Sequence, residues 1–211
     1  MKPPLPGENP HDPVPLTLSG EPVLKTAQMY PLQFGDESFI YLDGSAGTGD
    51  AVSVTFVLNA ECRCNSMPLE REPLKGPAGW AFELTDAGDI VFRIGSAADH
   101  QDVVASHAYT SGHEQRVTGI FDHGVSSLYI DGELVQRQTA MTANIRDDKT
   151  WGKIGNTSAS YQVVGLITEK SPENQQPKLR LTPFKGSIGD LRIYNRVLST
   201  EEILQPTASA H

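Results

Sequence analysis

Apolar and polar residues alternate along most of the chain in runs bounded by Gly, Asp, Asn and Pro, and almost no stretch repeats with the period of a helix. A period of two sends successive side chains to opposite faces of a strand, so that one face can be buried and the other wetted. Residues 39–45 (FIYLDGS), 51–60 (AVSVTFVLNA), 79–96 (GWAFELTDAGDIVFRIGS) and 116–138 (RVTGIFDHGVSSLYIDGELVQRQ) each read as one or two strands. In LYIDGELV, Asp131-Gly132 supplies the positive φ angles of a two-residue type I′ turn, with Leu128–Ile130 and Glu133–Val135 as arms. The TDAGD segment reverses the chain in a second hairpin. So many strands in one chain predict an all-β fold, a two-sheet antiparallel sandwich of jelly-roll type.

The last strand runs straight into a helix signal. In GSIGDLRIYN, Leu191 and Ile193 share a face opposite Asp190, Arg192 and Tyr194, with Ile188 a further apolar position. Ser199 followed by Glu202 matches a capping box, and Leu198 and Ile203 are spaced to staple it, which predicts a short C-terminal helical turn.

Prolines at 3, 4, 6, 10, 13 and 15 favour extended backbone and remove hydrogen-bond donors, so 1–15 reads as a linker, 16–204 as one sandwich domain and 205–211 as a polar tail. A linker so early implies a piece of a longer polypeptide. The net charge of −9 repels phosphate backbones and anionic membrane surfaces. With no run of about 18 apolar residues, neither nucleic acid nor membrane is an expected partner. Cys62 and Cys64 are spaced too closely for an ordinary disulfide and lack a second pair for zinc, so they read as thiols without a redox role in a fold that stands without cross-links. The acidic sets ELTDAGD and IRDDK fall at a turn and in a loop, His100, His107, His113 and His123 read as surface residues, and DGSAGTGD lacks the ending of a phosphate loop.

The stretch FKGSIGDLRIYNRVLSTEEI (184–203) and the hairpin HEQRVTGIFDHGVSSLYIDGELV (113–135), with weaker matches in PLQFGDESFIYLDG and WGKIGNTS, resemble the laminin-G-like jelly-roll domains of the concanavalin A-like lectin and glucanase superfamily. The resemblance implies a sheet bent into a concave face that many members use to bind carbohydrate and others to bind protein, while some relatives are glycanases or lyases. Fold alone does not choose among these. The paired strand carboxylates of the glycanases, E-x-D-x-x-E, are missing from this sequence. The resemblance also implies calcium as a structural cofactor, with Asp190 as the retained ligand position and Gly189 standing where the family pattern has its first Asp.

Sugar recognition relies on aromatic faces and planar polar groups. Trp80 shares a face with Phe82 and Leu84 and reads as core, and Tyr129 as packing. Trp151 lies opposite Ile154 and alongside Lys153, so a core-facing Ile154 turns Trp151 outward. Trp151, Lys153, Tyr109, Arg116, Tyr194 and Arg192 are therefore the ligand-binding candidates, with Arg93 a third guanidinium of the same kind. The long segment 156–184 reads as an insertion, with a hairpin of YQVVGLITE and KLRLT.

The expected function is a noncatalytic carbohydrate-binding module of a larger secreted bacterial polysaccharide-degrading enzyme. Its expected partners are a polysaccharide or oligosaccharide and the catalytic domain of the same polypeptide. A monomer located in the secreted, periplasmic or cell-surface compartment follows. The alternatives are an extracellular protein-interaction or adhesion domain and a glycanase or lyase of the same superfamily.

Overall fold

A computed structural model describes residues 24–25, 32–34, 39–42, 47–71, 79–95, 100–139, 145, 152–155 and 182–204. The expected linker, the tail, Trp151 and nearly all of the hairpin expected within 156–184 lie outside the described residues.

Thirteen strands are described: β1 (Leu24–Lys25), β2 (Leu32–Phe34), β3 (Phe39–Leu42), β4 (Ala51–Ala60), β5 (Ser66–Arg71), β6 (Gly79–Leu84), β7 (Ile90–Gly95), β8 (His100–Ala105), β9 (Glu114–Asp122), β10 (Val125–Ile130), β11 (Glu133–Thr139), β12 (Gly152–Gly155) and β13 (Gly186–Tyr194). One short helix follows, α1 (Thr200–Ile203). The seven-stranded sheet has the order β1-β13-β4-β9-β10-β11, with β2 also paired to β13, and the six-stranded sheet has the order β3-β12-β5-β6-β7-β8. The pairings are antiparallel throughout, as the alternating pattern requires.

Strand register explains the core. Across one sheet Ile193, Val54, Gly119 and Leu128 fall in one row, and across the other Ile154, Leu69, Phe82, Phe92 and Val103 do the same. Apart from the glycine these residues are fully buried. A Cβ on Gly119 would lie 2.6 Å from the Phe82 ring and 2.7 Å from Phe92, so the missing side chain makes room for the Phe82–Phe92 stack, whose centroids are 4.9 Å apart. Trp80 is fully buried, and its indole N–H donates to the Gly47 carbonyl at 3.2 Å.

Several expectations reappear in detail. Asp131 and Gly132 have φ of 51° and 85°, and Ile130 pairs with Glu133, as a type I′ turn demands. His123 and Gly124, with φ of 46° and 94°, make a second tight turn, so 116–138 contains parts of three strands. Ser199 caps α1: its Oγ accepts from the Glu202 N–H at 3.3 Å, and the Glu202 carboxylate accepts from the Ser199 N–H at 2.8 Å.

Three features depart from the sequence reading. Strand β5 is not among the strands expected from the pattern; it carries Pro68, which the ladder absorbs in a register shift between Ser66 and Leu69. Strand β13 bulges between Gly189 and Arg192, which lets Ile188, Leu191 and Ile193 all face inward despite unequal spacing. Asp190, at the bulge, has φ of 42°. The third departure is a correction: Cys62 and Cys64 form a disulfide. Strand β4 ends at Ala60 and the chain bends over the next residues, bringing the two Cα atoms to 5.5 Å, within ordinary disulfide range, where a continuing strand would hold them farther apart.

Candidate functional site

Two polar clusters lie on strand positions that point away from the core, one on each sheet. On the seven-stranded sheet the bulge of β13 turns Asp190 toward β9. Its Oδ1 accepts from Arg192 Nε at 2.8 Å, and its Oδ2 accepts from Arg192 Nη2 at 3.0 Å and Arg116 Nη2 at 2.6 Å. Arg116 Nη1 also donates to Thr55 Oγ1 at 3.2 Å, which in turn accepts from Thr118 Oγ1 at 2.8 Å. The Asp190 side chain is 7% exposed, so this is a desolvated charge cluster rather than a surface pair.

This brings Arg116, Asp190 and Arg192 together, with a different outcome for the predicted metal position. A carboxylate whose two oxygens already bridge two guanidiniums sits in a cationic setting, which does not suit a calcium ion. Among the described residues no group of three His, Cys, Asp or Glu side chains is placed to hold a metal.

Tyr109 and Tyr194 are both buried. Tyr109 is 2% exposed, and its hydroxyl donates to the Thr85 carbonyl at 2.7 Å; burial raises its pKa. Tyr194 packs with Ile120, Leu198 and Ile203 where α1 lies over the outer side of the sheet, and the Arg196 guanidinium sits 4.8 Å from its ring centre. Ser53 ties this cover down, its hydroxyl donating to the Arg196 carbonyl at 2.8 Å and accepting from the Leu198 N–H at 3.1 Å. Neither ring presents an open face for a sugar.

The second cluster was largely missed by sequence reading. Tyr41, Lys153, Glu70, Ala81, Arg93 and Asp102 fall in one register row across all six strands of the second sheet. Arg93 Nη1 donates to Glu83 Oε1 at 2.5 Å, while its Nε and Nη2 grip Asp102 at 2.8 and 2.9 Å. His100 Nε2 stands 3.8 Å from Asp102 Oδ2 at the edge strand. Burial pushes the Glu83 carboxyl above its ordinary pKa, against the lowering pull of the Arg93 charge. Solvent reaches the cluster from β8: the Asp102 side chain is 30% exposed, Arg93 13% and Glu83 9%. The parity of GWAFEL does turn Glu83 away from Phe82, but Asp102, which shares Arg93 with it, belongs to a strand the sequence pattern did not mark. Lys153 has its register position beside Glu70; Ile154 is fully buried, as the outward reading of its neighbours required.

Chemically, the second cluster is a set of planar groups locked to one another. Arg93 donates through Nε, Nη1 and Nη2 to the two carboxylates, and the Asp102 side chain remains 30% exposed. Arg93 spans both carboxylates and fixes their positions relative to one another.

Residues 34–170 match a laminin-G family model described as the concanavalin A-like lectin/glucanases superfamily. Among solved structures, domain 4 of AbnA, an extracellular arabinanase from Geobacillus stearothermophilus in complex with arabinotriose, superposes with a TM-score of 0.59 at 15% identity, covering 86% of this chain and 79% of that one. Domains LG4-5 of the mouse laminin alpha1 chain give 0.58 at 14% identity, covering 80% and 41%. The receptor-binding domain of botulinum neurotoxin type G gives 0.54 at 14% identity, covering 86% and 43%. The chain thus spans about two fifths of the laminin and toxin fragments, and at these identities the likeness concerns the fold. No curated protein matches by sequence. The family match covers well over half of the chain and agrees with the two-sheet antiparallel architecture, so the chain belongs to the laminin-G-like family of the concanavalin A-like lectin/glucanase superfamily.

Proposed function

We propose that the chain is a noncatalytic carbohydrate-binding module, carried by a secreted bacterial enzyme that degrades polysaccharide. The observation that carries this reading is the Glu83–Arg93–Asp102 cluster, a rigid hydrogen-bonding array on strands with its accessible member at the sheet edge. Asp102 oxygens accept hydroxyl protons of a sugar, and the mutual locking of the three side chains lowers the entropy lost on binding. That a fold relative was solved with an arabinose trisaccharide supports a sugar as the kind of ligand.

The test is affinity electrophoresis and calorimetric titration against neutral and acidic polysaccharides, with a reducing-end assay run alongside. Retardation by at least one polysaccharide with no new reducing ends is expected. Asp102→Ala should weaken binding about tenfold or more, the scale of one charge-assisted hydrogen bond, and Trp151→Ala tests the aromatic contribution in the same gel. Absence of binding to any polysaccharide, or full affinity in a folded Asp102→Ala variant, defeats the proposal.

A second reading, a protein-interaction domain, is favoured by strand β11. Six of its seven residues are exposed, including Leu134 and Val135 at 49% and 45%, and it forms the open edge of the seven-stranded sheet. Recovery of a protein partner by a chain indifferent to glycans would select it.

A further inference from the structure

The Cys62–Cys64 disulfide closes a ring of three residues, which removes little entropy from the unfolded chain and so gives little global stability. Its consequence is local, because the turn it pins is the hub of one end of the sandwich. Asn65 Oδ1 accepts from the Asp86 N–H at 3.1 Å, and its carbonyl accepts from the Thr182 N–H at 2.7 Å. The Glu61 N–H donates to the Lys185 carbonyl at 2.9 Å, and the Gly112 N–H to Ala60 at 2.7 Å. Arg63 Nη2 reaches the Tyr109 carbonyl at 3.4 Å. Residues 61–65 thus join the β6–β7 turn, the β8–β9 loop and the segment entering β13. Both cysteines are half-buried.

We infer that the Cys62–Cys64 disulfide is a thiol–disulfide exchange site whose redox state sets the order of this rim. The reductant is a small thiol. Its thiolate attacks one Sγ, displacing the other cysteine as a thiolate and forming a mixed disulfide. A second small thiolate then attacks the small-thiol sulfur of that mixed disulfide. The two small thiols leave as their own disulfide, having passed two electrons to the protein, and two cysteine thiols remain after protonation. Once the bond is open, the turn relaxes toward extended backbone and the acceptors at Asn65 and Ala60 lose their fixed positions. The inference is independent of what the domain binds.

Reduced glutathione followed by iodoacetamide and mass spectrometry reads the chemistry, and amide hydrogen exchange of the oxidised and reduced protein reads the structure. Two alkyl groups per chain are expected only after reduction, with the Asp86, Gly112 and Thr182 amides exchanging about tenfold faster or more, the signature of local opening. The amides of Phe82 and Val117, deep in the sheets, should keep their rates. Cys62→Ser combined with Cys64→Ser should exchange fast without reductant and ignore it when added. Alkylation of the untreated protein, resistance to glutathione, or reduction that leaves the Asp86 and Thr182 amides unchanged would each overturn the inference.

Discussion

Replacing Asp190 by Asn removes one charge while keeping the size of the side chain and its tolerance of a positive φ. The substitution leaves two guanidiniums, 11% and 20% exposed, without their shared counter-charge, and turns an amide donor toward them. An uncompensated buried pair typically costs about 3–5 kcal/mol, and the exposures are low enough that solvent relieves little of it. For a chain of this size that corresponds to a fall in Tm on the order of 10 °C. Differential scanning calorimetry of the wild type and Asp190→Asn measures it. Adding Arg192→Met to the Asn variant should recover stability, because it removes one of the stranded charges. A loss below about 1 kcal/mol, the scale of a solvated surface pair, or a double variant that loses stability additively, would refute the reasoning. Titrating millimolar calcium onto the wild type should leave its Tm unchanged, since Asp190 is engaged by arginines.

Gly119→Ala should cost about 1–3 kcal/mol, the usual price of overpacking, because its methyl would enter the Phe82–Phe92 stack; chemical denaturation reads it, and an unchanged midpoint would show that the rings yield freely. Carbon-13 carboxyl titrations should separate two glutamates, Glu202 at about 2 through its hydrogen bonds to Arg196 and Ser199, and Glu83 above 4.5 through burial. The signs are opposite. The contribution of Glu202 is present above about 4.5 and lost as pH falls through about 2, whereas Glu83, which binds its proton more readily when folded, gains stability as pH falls from its native pKa toward 4.5. Reduction of Cys62–Cys64 should lower global stability by only about 1–2 kcal/mol, from the closure of so short a loop; complete unfolding by reductant would contradict that.

Elements whose signals are local were legible in the sequence. The Asp131-Gly132 turn, the capping box at Ser199 and Glu202, and the inward parity of Trp80 are each decided by a few neighbouring residues, and the structure reproduces them. What escaped depends on distant chain segments. Asp190 reads as a metal-ligand position until the β13 bulge carries it to Arg116, 74 positions away. Glu83, Arg93 and Asp102 come from three strands, and no spacing within one of them shows the cluster. The disulfide was misread because a separation of two residues looked too short for one, whereas the turn after Ala60 brings the two Cα atoms to 5.5 Å. Tyr109 was a ligand-binding candidate because no local signal shows its hydroxyl reaching the Thr85 carbonyl, 24 positions away.

Strand β13 is nearly the last piece of the chain, yet it lies inside its sheet, with β4 on one side and β1 and β2 on the other. While the chain leaves a ribosome, the edge of β4 that pairs with β13 therefore waits until residues 186–194 emerge, and β1 and β2 wait for the same strand. Closure is a late, long-range event, so folding should be slow for the size of the domain, and the waiting edge is where a nascent chain would pair with the wrong strand.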